Sequence, residues 1–129
     1  MADQTATPLD DERYISLETF KKDGNGVKTP VWAAPLDGKL VIFTDGTSFK
    51  VKRLKRNSKA RAAACNARGT VKGEFHDGTC VIVEDPAQQE RAHAALRKKY
   101  GWQMALLDFF SGLTGRKKRR AILELTIAK

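Results

Sequence analysis

Phe43-Thr44-Asp45-Gly46-Thr47-Ser48-Phe49-Lys50-Val51-Lys52-Arg53-Leu54-Lys55-Arg56-Asn57 is the stretch on which the reading of this chain turns. Val41, Phe43 and Asp45 alternate with Leu40, Ile42 and Thr44, and a two-residue period predicts a strand. Asp45-Gly46 breaks that strand, after which Thr47 or Ser48 can cap a short helix with its hydroxyl. In that helix Phe49 and Leu54 are expected to point inward. Lys50, Arg53 and Asn57 fall at helical spacing on another face. Backbone N–H groups at the helix start, the helix dipole and the Lys and Arg side chains would all favour an anion such as a phosphate. A solvated basic helix that binds nothing has the same pattern, and spacing alone leaves both readings open.

The charge distribution sharpens this picture. The chain carries a net charge of +9 over 129 residues. Residues 50–72 contain Lys or Arg at 50, 52, 53, 55, 56, 59, 61, 68 and 72 and no acid, and a second basic run is Arg116-Lys117-Lys118-Arg119-Arg120. The remainder is slightly acidic. Two basic blocks on such a background suit a local polyanionic ligand at least as well as nucleic acid. Phe49 is the one aromatic neighbour of the first block, which argues against base stacking and a nucleic-acid module. The length suits one domain. No window approaches the roughly 18 uninterrupted apolar residues of a membrane span. The polar, acidic start lacks the parts of a signal peptide, so a cytoplasmic protein is expected.

Cys65 and Cys80 lack a Cys-x-x-Cys arrangement and read as buried free thiols. His76 and His93 are isolated, so no metal site is expected. No Ser/His/Asp set or carboxylate pair stands out, and no catalytic residue is assigned.

Along the chain, residues 1–12 are polar and predict a flexible arm, with a single domain over 13–129. Tyr14 to Phe20 alternates as a first strand, followed by a turn at Asp23-Gly24-Asn25-Gly26. A second strand is expected from Val27 to Leu36. Pro30 removes a ladder donor and places it at a sheet edge. Asp37-Gly38 closes a hairpin to a third strand, Leu40 to Thr44. Beyond the basic helix, Lys59 to Arg68 predicts a strand that Gly69 bends. Val71 to His76 and Thr79 to Glu84 suggest a hairpin about Asp77-Gly78. Asp85-Pro86 starts a helix with Asp85 as cap, Gln88 completing a capping box, Ala92, Leu96 and Tyr100 as its apolar stripe, and Gly101 as its end. Trp102 to Leu113 reads as a second helical piece whose apolar girth suggests burial against a partner subunit. In the last strand Leu123, Leu125 and Ile127 form the inward face. This order of short strands and helices predicts a mainly β fold that closes as a barrel.

Thr29-Pro30-Val31-Trp32, the Asp37-Gly38 hairpin, Phe43-Thr44, Lys50-Val51-Lys52-Arg53-Leu54 and the terminal Ala121-Ile122-Leu123-Glu124-Leu125-Thr126 occur in an order that resembles the pyridoxamine 5′-phosphate oxidase-like split β-barrel family. Within it, the chain looks most like the small proteins that bind the deazaflavin coenzyme F420. The resemblance implies a homodimer of split barrels with a cofactor in each interface groove. It implies that Thr29, Pro30, Val31 and Trp32 run beside the cofactor ring and that Thr44 lies near the ribityl chain. Lys50, Lys52 and Arg53 would meet the phosphate, and the surrounding positive charge would draw the polyglutamate tail. The implied activity is hydride transfer between reduced deazaflavin and a small organic substrate. An FMN-binding redox protein on the same fold and an F420 carrier without turnover are the alternatives. Glu124, Thr126 and Ala128 occupy the last strand where the family places a basic and histidine set for pyridoxal phosphate, which disfavours vitamin B6 oxidase activity.

Overall fold

A computed structural model describes residues 7–45, 49–101, 103 and 120–128. Seven strands are β1 (Tyr14–Phe20), β2 (Gly26–Val31), β3 (Ala33–Leu36), β4 (Lys39–Asp45), β5 (Lys59–Cys65), β6 (His76–Val83) and β7 (Arg120–Ile127). Helix α1 (Phe49–Arg56) joins β4 to β5, and α2 (Pro86–Tyr100) follows β6. The strands form one sheet in the order β2-β1-β5-β6-β7-β4-β3, antiparallel throughout.

That order dictates the shape. β2 and β3 are the two outer strands of the sheet, yet Trp32 alone separates them in sequence. Consecutive Cα atoms lie about 3.8 Å apart, so the two edges of a seven-stranded sheet must come together at this residue. The sheet therefore rolls into a split barrel, and its seam is the segment Val31-Trp32-Ala33. The expected continuous strand from Val27 to Leu36 is thus two strands, since the chain leaves one edge of the sheet and enters the other at Trp32. Pro30 and Pro35 lie in these edge strands, where a missing N–H breaks no ladder.

The strand alternation sorts residues between two cores. Ile15, Leu17, Val31, Ala33, Leu40, Ile42, Ala60, Ala62, Cys80, Leu123 and Leu125 fill the barrel, and Val51 and Leu54 of α1 belong to the same cluster. Ala34, Val41, Val83 and Ile122, on the opposite face, meet Ala92, Leu96 and Tyr100 of α2. The α2 stripe is as the sequence predicts. Asp85 caps the helix by accepting from the Gln88 N–H at 3.3 Å. Gln88 does not complete a capping box: its side-chain oxygen instead accepts from Arg91 at 3.1 Å, and its amide donates to Glu124 at 3.4 Å.

Two other expectations are corrected. Phe49 is 68% exposed and does not point inward; Val51 and Leu54 are the buried residues of α1. Asp77-Gly78 is no hairpin turn but lies inside β6, where Gly78 pairs with Ile127. A Cβ at Gly78 would sit 2.3 Å from the Thr126 carbonyl oxygen, so this glycine serves a close strand approach. The chain reverses earlier, at Asn66–Thr70, where the Asn66 side chain accepts from the N–H groups of Arg68 and Thr70 and Gly69 takes a φ of 88°. Asp37 and Gly38 both adopt positive φ, 54° and 78°, as a two-residue hairpin of primed type requires. Leu9 is 3% exposed and joins the barrel core, which ties residues 7–12 to the domain. The Thr47 or Ser48 cap, the helical piece Trp102 to Leu113 apart from Gln103, and residues 116–119 of the second basic run lie outside the described residues.

Candidate functional site at the barrel seam

The seam has no ladder, so side chains must fasten it. Tyr100, the last residue of α2, accepts from the Ala33 N–H at 2.9 Å, and its hydroxyl lies 2.8 Å from the Arg13 carbonyl and 3.0 Å from that of Ala33. Neighbouring Lys99 donates to the carbonyls of Glu12 and Ala33, both at 2.6 Å. Burial pushes the Tyr100 hydroxyl up to about 12 and holds the Lys99 ammonium below the ordinary lysine range. The Tyr100 ring stacks on Trp32 with centroids 4.5 Å apart and planes 7° from parallel. Phe43 meets Trp32 edge-on at 5.9 Å and 71°. Two aromatic neighbours thus fix the indole at the junction of the two sheet edges.

A cavity of about 300 Å³ opens beside this indole, lined by Tyr14, Pro30, Val31, Trp32, Phe43, Thr44, Lys50 and Ala67. Five residues singled out from sequence come together here: Pro30, Val31, Trp32, Thr44 and Lys50. β2 and the seam supply the first three, the end of β4 supplies Thr44, and the first turn of α1 supplies Lys50. The focal strand and helix therefore face one cavity from two sides. Thr29 does not line it, but sits one pleat back on the Val31 face of β2. Its buried hydroxyl oxygen has no hydrogen-bond partner among the described residues. Lys52 and Arg53 do not line it either. Lys52 Nζ is 5.2 Å and Arg53 Cζ 5.9 Å from the exposed Phe49 ring, and Arg53 reaches the Thr19 hydroxyl at 3.4 Å.

Sequence reasoning missed Tyr14 and Ala67 as lining residues. Strand register brings them near, since Tyr14 pairs with Cys65, two residues before Ala67. It also read Tyr100 chiefly as core. A tyrosine at the end of an apolar helical stripe needs a partner for its hydroxyl, and that signal was available. His76 and His93 line no part of the cavity. Among the described residues no cluster of His, Cys, Asp or Glu is placed to hold a metal ion.

A rolled antiparallel sheet whose edges meet at one residue, with an aromatic and cationic cavity at the seam, defines the class of split β-barrels. The family model described as pyridoxamine 5′-phosphate oxidase matches residues 1–129, and the chain belongs to that family. Solved structures share the fold. A conserved hypothetical protein of Mycobacterium tuberculosis superposes with a TM-score of 0.69 at 20% identity, over 94% of this chain and 76% of its own. The heme storage protein of Vibrio cholerae gives 0.67 at 10% identity, over 92% and 84%. An FAD-binding protein of Mesorhizobium loti gives 0.62 at 18% identity, over 94% and 83%. No curated protein matches the chain.

Proposed function

We propose that the seam cavity holds the ring and ribityl phosphate of a deazaflavin, coenzyme F420, and that the protein is an F420-dependent oxidoreductase acting on a small organic substrate. The observation that carries the reading is the convergence of Trp32 from the seam, Thr44 from β4 and Lys50 from α1 on one cavity. A flat wall, a hydroxyl and an ammonium are the donor set that a planar ring with a phosphorylated polyol requires.

The bound deazaflavin would supply the hydride chemistry. This chain's residues bind, orient and exclude water. Trp32, held by Tyr100 and Phe43, gives the ring a rigid face. Pro30 and Val31 border it, and Thr44 can hydrogen-bond the polyol. Lys50 meets the phosphate at the start of α1, where the helix dipole adds to its charge. Lys52 and Arg53 stand on the same helix over Phe49 and would serve the carboxylates of the polyglutamate tail.

Flavin and heme, the ligands of the Mesorhizobium loti and Vibrio cholerae neighbours, are the competing cargoes. The basic block at residues 50–72 favours the more highly charged deazaflavin. About 300 Å³ lies at the small end of ligand sites, so a homodimer in which the second copy completes the groove belongs to the reading. Light scattering is expected to give twice the chain mass.

Fluorescence titration with F420 tests the assignment. Lys50→Ala should weaken binding by roughly tenfold or more, since a charge-assisted hydrogen bond contributes about 1.5–3 kcal/mol. Lys52→Ala and Arg53→Ala should each weaken it less and in a salt-dependent way. Equal losses for all three, and for the distant Lys39→Ala, would leave only a diffuse field and no seam pocket.

A further inference from the structure

A second and larger cavity, about 690 Å³, is lined by residues of the N-terminal segment, β3 and α2. Its lining combines apolar and charged side chains. Pro35, Leu36, Ala94 and Ala95 are apolar, while Arg13, Arg91, Lys98 and Lys99 bring four cations against the two carboxylates of Asp10 and Asp11. Asp10 is already engaged by the Thr7 hydroxyl and backbone N–H. Of the cations, Arg91 is paired with Asp37 at 2.7 Å, but Lys99 makes no ion pair among the described residues. Its two hydrogen bonds go to main-chain carbonyls, and its half-buried ammonium lies over the Tyr100 ring.

We propose that this cavity is a second binding site, for an organic anion with an apolar body such as an aryl carboxylate. The carboxylate meets Lys98 and Lys99 and the apolar body lies on Leu36, Pro35 and the Ala94–Ala95 face of α2. Its volume is well within the range of small-molecule sites. A bare inorganic anion would leave the apolar floor uncovered, and a neutral hydrocarbon would leave the excess of cations over Asp10 and Asp11 unmatched. The lining asks for both halves in one molecule.

The site is joined to the seam cavity through one ring. Arg13 and Lys99 line the second cavity and lie 5.1 and 5.5 Å from the centroid of Tyr100, the ring that stacks on Trp32 of the first. An anion on Lys99 therefore changes the field at the residue that fastens the seam. The proposal does not depend on which cofactor the seam cavity takes.

Calorimetric titration of the full-length protein with 2-naphthoate tests it, with naphthalenemethanol and acetate as the two half-ligands. Naphthoate should bind at least tenfold more tightly than either half-ligand. Ala94→Trp, a change at an exposed helix position that fills the cavity, should abolish binding while circular dichroism stays unchanged. Lys98→Glu should weaken it by roughly tenfold, since charge reversal exchanges attraction for repulsion. The same reversal at exposed Lys55 on α1 should leave affinity within about twofold. In Trp102→Phe protein, naphthoate should perturb Trp32 emission by way of the Tyr100 stack. Naphthoate binding that survives Ala94→Trp, or falls equally with Lys98→Glu and Lys55→Glu, would overturn the assignment, as would equal affinity for naphthalenemethanol.

Discussion

Removing one oxygen atom, by Tyr100→Phe, should loosen the barrel seam more than any surface substitution. The ring and its stack on Trp32 are retained, so the change isolates the hydroxyl. That oxygen accepts from the N–H of Ala33, a fully buried residue, and is the donor near the Arg13 and Ala33 carbonyls. Phenylalanine leaves the Ala33 N–H without its acceptor, and an unsatisfied buried donor costs about 1–3 kcal/mol. No ladder spans β2 and β3 to take up the load. With a urea m-value of roughly 1–3 kcal/mol/M for a chain this size, a cost of about 2 kcal/mol moves the midpoint by about 1 M at unchanged slope. The assay is urea denaturation followed by circular dichroism. Tyr100→Ala, which also removes the stacked ring, should cost a further roughly 2 kcal/mol or more. A Tyr100→Phe midpoint within about 0.2 M of the parent would refute the claim that this hydroxyl closes the barrel.

The same residue predicts a pH effect, for the folded Tyr100 hydroxyl is raised from 10.0 to about 12 by burial. The unfolded chain loses that proton first, so the advantage of the parent over Tyr100→Phe should shrink as pH rises from 10 to 12; a widening gap would contradict the assignment. Cys65 and Cys80 are buried free thiols, and burial pushes Cys80 up to about 12, so Ellman's reagent at pH 8 should find Cys80 unreactive until denaturant is added. Gly78→Ala forces a Cβ to 2.3 Å from the Thr126 carbonyl oxygen and should lower stability by roughly 1–3 kcal/mol. Gly73→Ala, with no atom within 4 Å of the new Cβ, should stay within about 0.5 kcal/mol in the same urea denaturation.

Sequence patterns were most legible where local chemistry and tertiary structure ask for the same residue. Asp37-Gly38 tolerates the positive φ of its hairpin, Asp85 caps α2, and Ala92, Leu96 and Tyr100 repeat at helical spacing, so each was readable in isolation. Pro30 likewise marked its own strand as an edge. Failures arose where a residue answers to a distant part of the chain. Gly78 has the look of a turn glycine, but it is small because β7 approaches closely, and nothing near it in sequence says so. The break at Trp32 is invisible in the alternation of residues 27–36, because it exists only once the sheet rolls and its edges meet. Phe49 was expected inside on hydrophobicity alone; instead its ring lies out in solvent beneath Lys52 and Arg53. Of the site, Pro30, Val31, Trp32, Thr44 and Lys50 were named from the sequence through family resemblance, whereas Tyr14 and Ala67 depend on strand register.

A side-by-side titration of the purified protein with coenzyme F420, FMN and hemin at moderate ionic strength, read by fluorescence quenching and absorbance, distinguishes the three candidate ligands of the seam cavity. F420 should bind most tightly, with its affinity falling as salt rises. FMN or hemin binding tenfold or more tightly than F420 would contradict the F420 assignment.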